Sequence, residues 1–481
     1  MVMNTETLIK PTGSLAATFD RASPLTGQTV SQGCAMTVAD ATAACDRASA
    51  AQPAWAALGP NARRNILMRA ADLLAERGPS IMETETSEVG AGAPWANFDI
   101  AHGCGTLREA AAMTTQVGGE TIPSDKPGML AMTIRTPVGV VLGFAPWNAP
   151  IILGVRSFAM ALACGNAVIV KASELCPRTH EMLIETMHEA GVPEDVLILV
   201  NNAPADAPDV VGALIAHPAI RRVNFTGSTR TGKIIAKLCA EQMKPVLLEL
   251  GGKSPLIILD DADLDEAASA ATFGAYMNSG QVCMATERVV VDESIADAFV
   301  DKFKARIAGL TAADPRGGPV ALGSLVDPSA TTTVSRIVAD ATAKGAVLHE
   351  VAPAQGNYLS AAFVDRVTPD MAIYHEECFG PVTTIVRVKG EAEALRVAND
   401  TEYGLSAAIY TRDIGRGLRL AAQVQSGICH INGPTIHDEA QFPFGGMKSS
   451  GYGRFGGKAG IAEFTELRLI TIGLEPGQYP F

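Results

Sequence analysis

The chain of 481 residues is too long for one hydrophobic core, and its composition (47% hydrophobic, 19% charged, 5% aromatic) is typical of a globular protein with two or three domains. Its net charge of −13 argues against nucleic acid and anionic membranes as partners, because both bind basic surfaces. The first residues lack a basic segment followed by an apolar run, so no signal peptide is predicted, and no apolar stretch is long enough to span a bilayer. Nine cysteines without paired spacing predict reduced thiols, a cytoplasmic location and no metal site.

Apolar runs alternate with helix-like stretches from Val138 onward, which predicts an α/β fold. The first block of predicted strands comprises residues 138–144, 166–172, 196–200, 221–227 and 245–252, with helices such as 178–190 and 229–242 between them. These strands are almost continuously apolar, as in parallel sheets that helices cover on both faces. We therefore predict a doubly wound parallel-sheet domain formed by residues 1–115 and 138–249.

A second alternating block follows, with predicted strands at 255–260, 287–292, 381–388, 405–411 and 427–433. It is long enough to form a separate α/β domain over residues 250–448. Two extended segments, 116–137 and 464–481, belong to neither core. We interpret them as small β segments with exposed edges that another subunit covers, which predicts a homodimer or homotetramer; the alternative is an ordinary surface hairpin.

A nucleophilic cysteine needs an electropositive and partly exposed setting, so the thiols of this chain are not equivalent. Cys164 and Cys239 lie in apolar helix patterns and are expected in the core. Cys429 and His430 are neighbours on a predicted strand, where successive side chains point to opposite faces and do not form a dyad. Cys283 follows a small polar turn in NSGQVCMATER, which makes it the candidate nucleophile, with a buried loop cysteine as the alternative.

Glu249 is a carboxylate inside the apolar run VLLELGG, at the end of a predicted strand. Burial of a carboxylate is costly, and it raises the pKa toward the range that a general base needs. The double glycine that follows predicts a loop at the carboxyl end of a parallel strand, where open α/β sheets bind ligands. We therefore interpret Glu249 as a general base; the alternative is an outward-facing glutamate on a half-exposed strand.

The segment FTGSTRTGK at 225–233 joins a predicted strand to a predicted helix. It is similar to a P-loop, but Ile234 stands where that motif needs a serine or threonine for magnesium. It also departs from the dinucleotide fingerprint, because Ser228 and Thr229 stand where a second glycine would be. What remains is a glycine turn that feeds a helix N-terminus, which predicts an anion site.

Several ordered motifs together resemble the aldehyde dehydrogenase superfamily over nearly the whole chain. They are APWN at 145–148, ALACGNAVIVKASE at 161–174, FTGSTRTG at 225–232, LELGGKSP at 248–255, NSGQVCMATER at 278–288, EECFGPV at 376–382 and PFGGMKSSGYGR at 443–454. The resemblance implies that Cys283 attacks an aldehyde, that Asn148 and the Cys283 N–H hold the oxyanion, and that Glu249 activates the water that hydrolyses a thioester. Glu249 favours hydrolysis over the thiol-dependent release of CoA-acylating relatives. The three residues together argue against a non-catalytic structural relative.

The resemblance also implies a bound NAD, with NADP as an alternative. It places Gly227, Ser228 and Gly232 near the pyrophosphate, Trp147 beside the dinucleotide, Lys171 and Glu174 at the adenosine ribose, and Glu377 and Phe379 at the nicotinamide, with Ala145 and Leu250 as further cofactor contacts. Because a carboxylate at Glu174 would repel a 2′-phosphate, we expect NAD to be preferred. Residues 199–212 lack the glycine-rich turn usual in the family, so no adenine contacts are assigned.

The segments GPTIHDEAQFPFGG (433–446) and GRFGGKAGIAEFTE look most like the salicylaldehyde and vanillin dehydrogenases within the superfamily. This resemblance implies an aromatic aldehyde as substrate, with an aliphatic semialdehyde as the alternative, and Arg156, Met277 and Phe444 as substrate contacts. Asn148, Ile152 and Arg156 are spaced by four and are predicted to share one helix face. Arg156 would then pair with a phenolic oxygen or ring carboxylate of the substrate, or with a protein carboxylate.

Overall fold

The computed structural model describes residues 17–476 together with Tyr479 and Phe481. Residues 1–16 of the predicted first domain, and residues 477, 478 and 480 of the predicted tail segment, lie outside the described residues. Among the described helices, none has the length and apolar character needed to cross a bilayer. The same part of the chain contains no cluster of three or more His, Cys, Asp or Glu side chains that could hold a metal ion.

The described chain begins with an antiparallel strand pair and three long helices. These elements are β1 (Thr18–Ala22), β2 (Thr29–Cys34), α1 (Val38–Ala57), α2 (Pro60–Val89) and α3 (Ala93–Met113). A capping box starts α1, because Thr37 and Asp40 each accept a hydrogen bond from the other's backbone N–H. Gly90 ends α2 in a left-handed conformation (φ +77°) that favours glycine.

A hairpin leads into the first parallel sheet. It consists of β3 (Thr121–Ile122) and β4 (Met129–Pro137), within the extended segment 116–137. The sheet and its helices follow in chain order as β5 (Val140–Phe144), α4 (Pro150–Ala163), β6 (Ala167–Lys171), α5 (Pro177–Ala190), β7 (Leu197–Val200), α6 (Ala207–Ala216), β8 (Ile220–Thr226), α7 (Thr229–Glu241) and β9 (Val246–Glu249). The five strands are parallel in the order β9-β8-β5-β6-β7, which confirms the predicted doubly wound sheet.

The second sheet is also mainly parallel. Its elements are β10 (Ser254–Ile258), α8 (Leu264–Tyr276), β11 (Thr286–Asp292), α9 (Ala296–Ile307), α10 (Pro328–Ala343), β12 (Val347–Glu350), β13 (Ala362–Asp365), α11 (Ala372–His375), β14 (Val382–Val388), α12 (Gly390–Asn399), β15 (Ser406–Tyr410), α13 (Ile414–Ala421) and β16 (Ile428–Ile431). The order is β12-β13-β14-β11-β10-β15-β16, with only the edge strand β12 antiparallel. The five strands predicted for this block are all present, whereas β12 and β13 were not predicted.

The last described elements return to earlier parts of the fold. They are β17 (Gly451–Tyr452), α14 (Gly457–Glu463) and β18 (Thr465–Gly473). β17, which was not predicted, adds to the edge of the first sheet by pairing antiparallel with β9. β18 pairs with β4 along its full length, from Thr465 opposite Pro137 to Gly473 opposite Met129, so the two extended segments form one three-stranded sheet with β3.

The central strands of the second sheet contain uninterrupted apolar runs because both faces of the sheet are buried there. Leu256 and Ile258 of β10 pack into one core together with Val289 and Val291 of β11, and Ile257 packs into a different core on the opposite face. Successive side chains of a strand point to opposite faces, so two buried faces require an uninterrupted apolar run. This is why the parallel strands could be located from sequence.

Candidate active site

Most of the residues singled out in the sequence lie at the carboxyl edge of the first sheet. Ala145 follows β5, Lys171 ends β6, Gly227 follows β8 and Glu249 ends β9. Backbone hydrogen bonds join neighbouring strand ends at this edge. Ala145 N–H donates to the Lys171 carbonyl (3.1 Å), and Gly227 N–H donates to the Glu249 carbonyl (3.0 Å). This is the edge at which open α/β sheets bind ligands.

Asn148 lies in the loop between β5 and α4, two residues before the helix begins. The prediction that Asn148 shares a helix face with Ile152 and Arg156 is therefore wrong for Asn148, which lies outside the helix. Hydrogen bonds of its backbone and its side chain hold Asn148 instead. Its carbonyl accepts from Trp95 Nε1 (2.9 Å) and Asn278 Nδ2 (3.0 Å), and its own Nδ2 donates to the carbonyl of Gln281 (3.1 Å). The last bond joins the amide of Asn148 to the loop that carries Cys283.

The helix after Asn148 begins on a buried carboxylate that sequence reasoning missed. Asp99, from α3, accepts the backbone N–H groups of Ile151 and Ile152, each at 2.8 Å. Burial outweighs these two bonds and raises the pKa of Asp99 to about 7. Because these N–H groups have no partner within the helix, Asp99 fixes the start of α4 and with it the position of the loop at Asn148.

Cys283 follows a turn of left-handed residues at the end of α8. Asn278, Ser279 and Gly280 have φ of +49°, +55° and +74°. Cys283 is partly exposed, whereas Cys164 and Cys239 are buried, as expected for core cysteines. Removal from bulk water raises the pKa of the Cys283 thiol well above its ordinary value, and its hydrogen-bonded neighbour Glu249 raises it further. The thiol is therefore protonated at neutral pH and must release its proton to react.

Glu249 is buried at the end of β9, with 1% of its surface exposed, so the outward-facing alternative is excluded. Burial raises its pKa to about 7, against the opposing effects of Arg156 and of the Cys283 thiol. A carboxyl group of this kind is partly ionised at neutral pH and lies next to a protonated thiol. It can therefore accept the thiol proton and release it again.

Two cavities meet at the thiol. The larger, of about 360 Å³, is lined by aromatic side chains and is called the aromatic cavity; the other, of about 290 Å³, is called the Glu377 cavity. Asn148, Leu153 and Cys283 line both cavities. A molecule in either cavity can thus reach the same sulfur and the same side-chain amide.

The aromatic cavity contains all three predicted substrate residues, Arg156, Met277 and Phe444. Its other apolar lining includes Trp95, Phe98, Phe273, Ile152 and Ile436. Arg156 lies at its polar end, with Nη2 2.5 Å from Oδ2 of Asp438 and the guanidinium 4.2 Å from the centre of the Phe444 ring. A protein carboxylate is therefore one partner of Arg156. Sequence reasoning did not single out Asp438.

The Glu377 cavity is lined by six of the ten predicted cofactor residues. They are Trp147, Gly227, Ser228, Leu250, Glu377 and Phe379. Ala145, Lys171, Glu174 and Gly232 do not line it. The ring of Trp147 meets the ring of Phe379 edge-on at 5.8 Å, and Glu377 Oε1 accepts the Gly252 N–H at 2.9 Å. Burial raises the pKa of Glu377 to about 8, and the nearby charge of Glu287 contributes to the same increase to a smaller extent.

The comparisons with known proteins agree with these motifs. Residues 11–470 match the family model described as the aldehyde dehydrogenase family. The chain is 54% identical to a vanillin dehydrogenase of Pseudomonas fluorescens over 463 residues, and 47% identical to a salicylaldehyde dehydrogenase of Pseudomonas putida over 465 residues; each alignment covers 96% of both chains. A crystal structure of salicylaldehyde dehydrogenase from Pseudomonas putida G7, complexed with salicylaldehyde, superposes with a TM-score of 0.95 at 46% identity, covering 97% of this chain and 96% of the other.

The chain belongs to the aldehyde dehydrogenase family. It is an oxidoreductase that acts on aldehydes with NAD or NADP, which confirms the family resemblance and the reaction type expected from the sequence. The roles of individual residues remain predictions, and the structure shows how each is held.

In this aldehyde dehydrogenase, the glycine turn after β8 brings helix α7 close to the chain that follows β9, the strand that ends at Glu249. Ser228 caps α7 by accepting the N–H of Thr231 at 3.3 Å. A Cβ at Gly232, in the first turn of the helix, would collide with the side chain of Leu250. The helix N-terminus thus approaches the Glu377 cavity, a position suited to a phosphate group.

The enzyme holds the Phe379 loop with a second buried carboxylate that the sequence did not assign. Glu287 accepts the backbone N–H groups of Cys378 (2.8 and 2.9 Å) and Phe379 (2.9 Å), and pairs with Nζ of Lys253 at 2.6 Å. Phe379 has φ of +49°, a conformation that costs energy in a residue with a side chain. Glu287 is therefore positioned to keep this strained turn, and with it the ring of Phe379, at the cavity.

Lys171, at the end of β6, forms an ion pair with Glu174 in the loop that follows this strand. Asn202 adds a hydrogen bond from Nδ2 to Oε1 of Glu174 at 3.2 Å. Asn202 lies in residues 199–212, for which the resemblance gave no cofactor contact. Lys171, Glu174 and Asn202 provide both donors and acceptors, which matches the hydroxyl groups of a ribose.

Proposed function

We propose that this aldehyde dehydrogenase oxidises aromatic aldehydes to carboxylic acids through a covalent intermediate on Cys283. The observation that carries the proposal is the aromatic cavity, which ends at Cys283 and Asn148 and is lined by aromatic side chains. Planar rings pack well against such a lining, whereas an aliphatic chain would leave much of it uncovered. Relatives named for vanillin and salicylaldehyde support the same substrate class.

The first step adds the thiol to the aldehyde carbon. The sulfur forms a bond to carbon as Glu249 takes the thiol proton, and the carbonyl oxygen becomes an oxyanion. The side chain of Asn148 and the backbone N–H of Cys283 are the donors proposed to hold that oxygen. Donors fixed in advance, as Asn148 is by its three hydrogen bonds, stabilise charge as it forms without having to reorganise.

The residues of the Glu377 cavity fit a dinucleotide. A helix N-terminus lies at one end, and the other end has a carboxylate held by the Gly252 N–H and the Trp147–Phe379 ring pair. When bound, the nicotinamide would accept a hydride from the former aldehyde carbon. Loss of that hydride leaves a thioester on Cys283. Glu249 releases the thiol proton to solvent and then takes a proton from water as the water attacks the thioester. The carbon–sulfur bond breaks, the acid leaves, and Glu249 returns that proton to the sulfur, which regenerates the thiol.

Two variants test this division of labour. Cys283→Ala should abolish turnover, because no covalent intermediate can form. Glu249→Gln should slow the burst of reduced cofactor in rapid-mixing experiments, because the thiol loses its proton acceptor, and should also slow release of the acid. Full steady-state activity in either variant would exclude its proposed role.

The substrate class is tested by initial rates with benzaldehydes and with aliphatic semialdehydes of similar length. We expect kcat/KM to favour the benzaldehydes, because only their rings cover the aromatic lining. A higher kcat/KM for succinate semialdehyde would favour the aliphatic alternative. The Cys283→Ala protein serves as the control for background oxidation.

We propose that NAD is preferred over NADP. Glu174 pairs with Lys171 and accepts from Asn202, so its carboxylate is held in place where a 2′-phosphate would be repelled. Replacing Glu174 with Gln removes the charge and should raise kcat/KM for NADP relative to NAD. Equal use of both cofactors by the wild-type enzyme would contradict a discriminating role for Glu174.

We also propose that the enzyme is a cytoplasmic homodimer or homotetramer. Leu467 and Leu469 of the edge strand β18 are 57% and 61% exposed, and Ile472 is 40% exposed. An edge strand with exposed leucines is suited to being covered by another subunit. Light scattering should give a mass of two or four chains, and Leu469→Glu should lower that mass.

The nine cysteines, all of them unpaired, are compatible with a reducing compartment such as the proposed cytoplasm, which cell fractionation would test.

A further inference from the structure

The polar end of the aromatic cavity is a network of three side chains, Arg156, Asp438 and His102. Nη2 of Arg156 lies 2.5 Å from Oδ2 of Asp438, and Nε2 of His102 lies 3.2 Å from the same oxygen. The three side chains are 8 to 10% exposed and line the cavity. Both contacts converge on Oδ2, and no described residue donates a hydrogen bond to Oδ1 of Asp438.

The guanidinium of Arg156 is fixed but not saturated. It is held between Asp438 and the face of Phe444, and within the described part of the chain it donates only through Nη2. Burial alone would raise the pKa of Asp438, but Arg156 and His102 hold it below its ordinary value, so the carboxylate is ionised. The end of the cavity therefore offers an anionic acceptor and a cationic donor side by side.

We propose that Asp438 and Arg156 form a subsite for a neutral hydroxyl group on the ring of the substrate, an inference that rests on the proposed oxidation of aromatic aldehydes. The hydroxyl donates to Oδ1 of Asp438 and accepts from the guanidinium of Arg156. A phenol can do both, because its oxygen is donor and acceptor at once. A charged acceptor and a charged donor make both bonds stronger than bonds between neutral groups.

The same subsite excludes a carboxylate. A carboxylate can only accept, and beside Arg156 its charge would lie next to that of Asp438. Ring carboxylates and the distal carboxylate of a semialdehyde are therefore disfavoured. Without Asp438, Arg156 alone would prefer them. Asp438 thus decides which polar group the cavity accepts.

His102 is a positioning residue in this subsite. It lies on α3, whereas Arg156 lies on α4 and Asp438 in the loop after β16. Its Nε2 contacts Oδ2 at 3.2 Å, on the same side as Arg156, and these two contacts fix the carboxylate so that Oδ1 is left for the ligand. Its ring is in turn packed against Phe98, 5.5 Å away.

The wild-type enzyme can be tested with benzaldehydes that carry a hydroxy, fluoro or carboxy group at each ring position. At one position, kcat/KM for the hydroxy compound should exceed that for benzaldehyde by about tenfold or more, as expected for a hydrogen bond to a charged group. The fluoro compound, which cannot donate a hydrogen bond, should have a kcat/KM close to that of benzaldehyde. The carboxy compound should have a lower kcat/KM than benzaldehyde. The hydroxyl preference should fall as pH rises through the pKa of the substrate's phenol, because a phenolate cannot donate to Asp438.

Asp438→Asn should lower the ratio of kcat/KM for hydroxy over carboxy compounds by about tenfold or more, with both values normalised to benzaldehyde. Glu439→Gln is the matched control: it removes the next carboxylate along the chain, which is half exposed and does not line the aromatic cavity, and should leave the ratio unchanged. An unchanged ratio in Asp438→Asn, or a wild-type preference that rises with phenol ionisation, would overturn the proposal. The wild-type series decides the question even if the variant does not fold. Failure to oxidise any benzaldehyde would instead overturn the proposed function.

Discussion

The buried carboxyl group of Glu249 should lower the stability of the folded enzyme above neutral pH. Its pKa is raised from the ordinary 4.5 to about 7. At about 1.4 kcal/mol for each tenfold change in proton affinity, the ionised group costs the folded state roughly 3 kcal/mol. Glu249→Gln keeps the shape of the side chain and removes this cost, so the variant should be more stable than the wild type while it loses turnover.

The size of the effect depends on pH. Below pH 4.5 the carboxyl is protonated in both the folded and the unfolded chain, so the substitution should change stability little. As pH rises to about 7, the unfolded chain ionises first, and the cost to the folded state grows to its full value and stays there. The stabilisation by Gln should therefore appear between these two pH values.

The assay is the thermal midpoint of unfolding of both proteins, measured at one heating rate from pH 5 to pH 8. Glu76→Gln is the control, because Glu76 is an exposed glutamate on α2. The control should show no such pH dependence. A Glu249→Gln protein that is less stable at pH 8, or whose difference from the wild type is constant with pH, would refute the reasoning.

Three further outcomes follow from the site and the core. Asn148→Ala should lower kcat/KM by about 10²- to 10³-fold through loss of an oxyanion donor, measured by steady-state kinetics. Gly251→Ala should raise KM for NAD more than KM for the aldehyde, because its Cβ would lie 2.5 Å from Oε2 of Glu377 and push that side chain from its cavity. Arg288→Met should lower the free energy of unfolding by about 3 kcal/mol or more in denaturant titrations, because the buried guanidinium donates to three backbone carbonyls.

The parallel strands of both sheets could be located from sequence because helices bury both of their faces. Two of the strands that were missed lack this property or are very short. β12 is an edge strand with mixed exposure, and β17 has only two residues. A two-residue strand such as β17 has no periodicity to detect, and only the return of the chain to β9 reveals it.

The candidate reacting groups could be picked out from the sequence, but the groups that hold them could not. Cys283, Glu249 and Asn148 stand in motifs or in unusual local contexts. Asp99 and Glu287 act on backbone N–H groups 52 and 91 residues away in the chain, so no local pattern marks them. The same applies to Asp438, whose partner Arg156 is 282 residues away.

The proposed nucleophile and the proposed base belong to the segments of different sheets, and the short segment that joins β9 to β10 brings them together. Only four residues separate the end of β9 at Glu249 from the start of β10 at Ser254. A Cβ at Gly252, within that segment, would collide with the carbonyl oxygen of Cys283. A backbone oxygen cannot rotate aside as the end of a side chain can, so the missing side chain at Gly252 sets how closely the thiol loop approaches the base strand. Gly252, the second residue of the double glycine, therefore marks the site for a steric reason: any larger residue there would separate the thiol from the carboxylate proposed to take its proton.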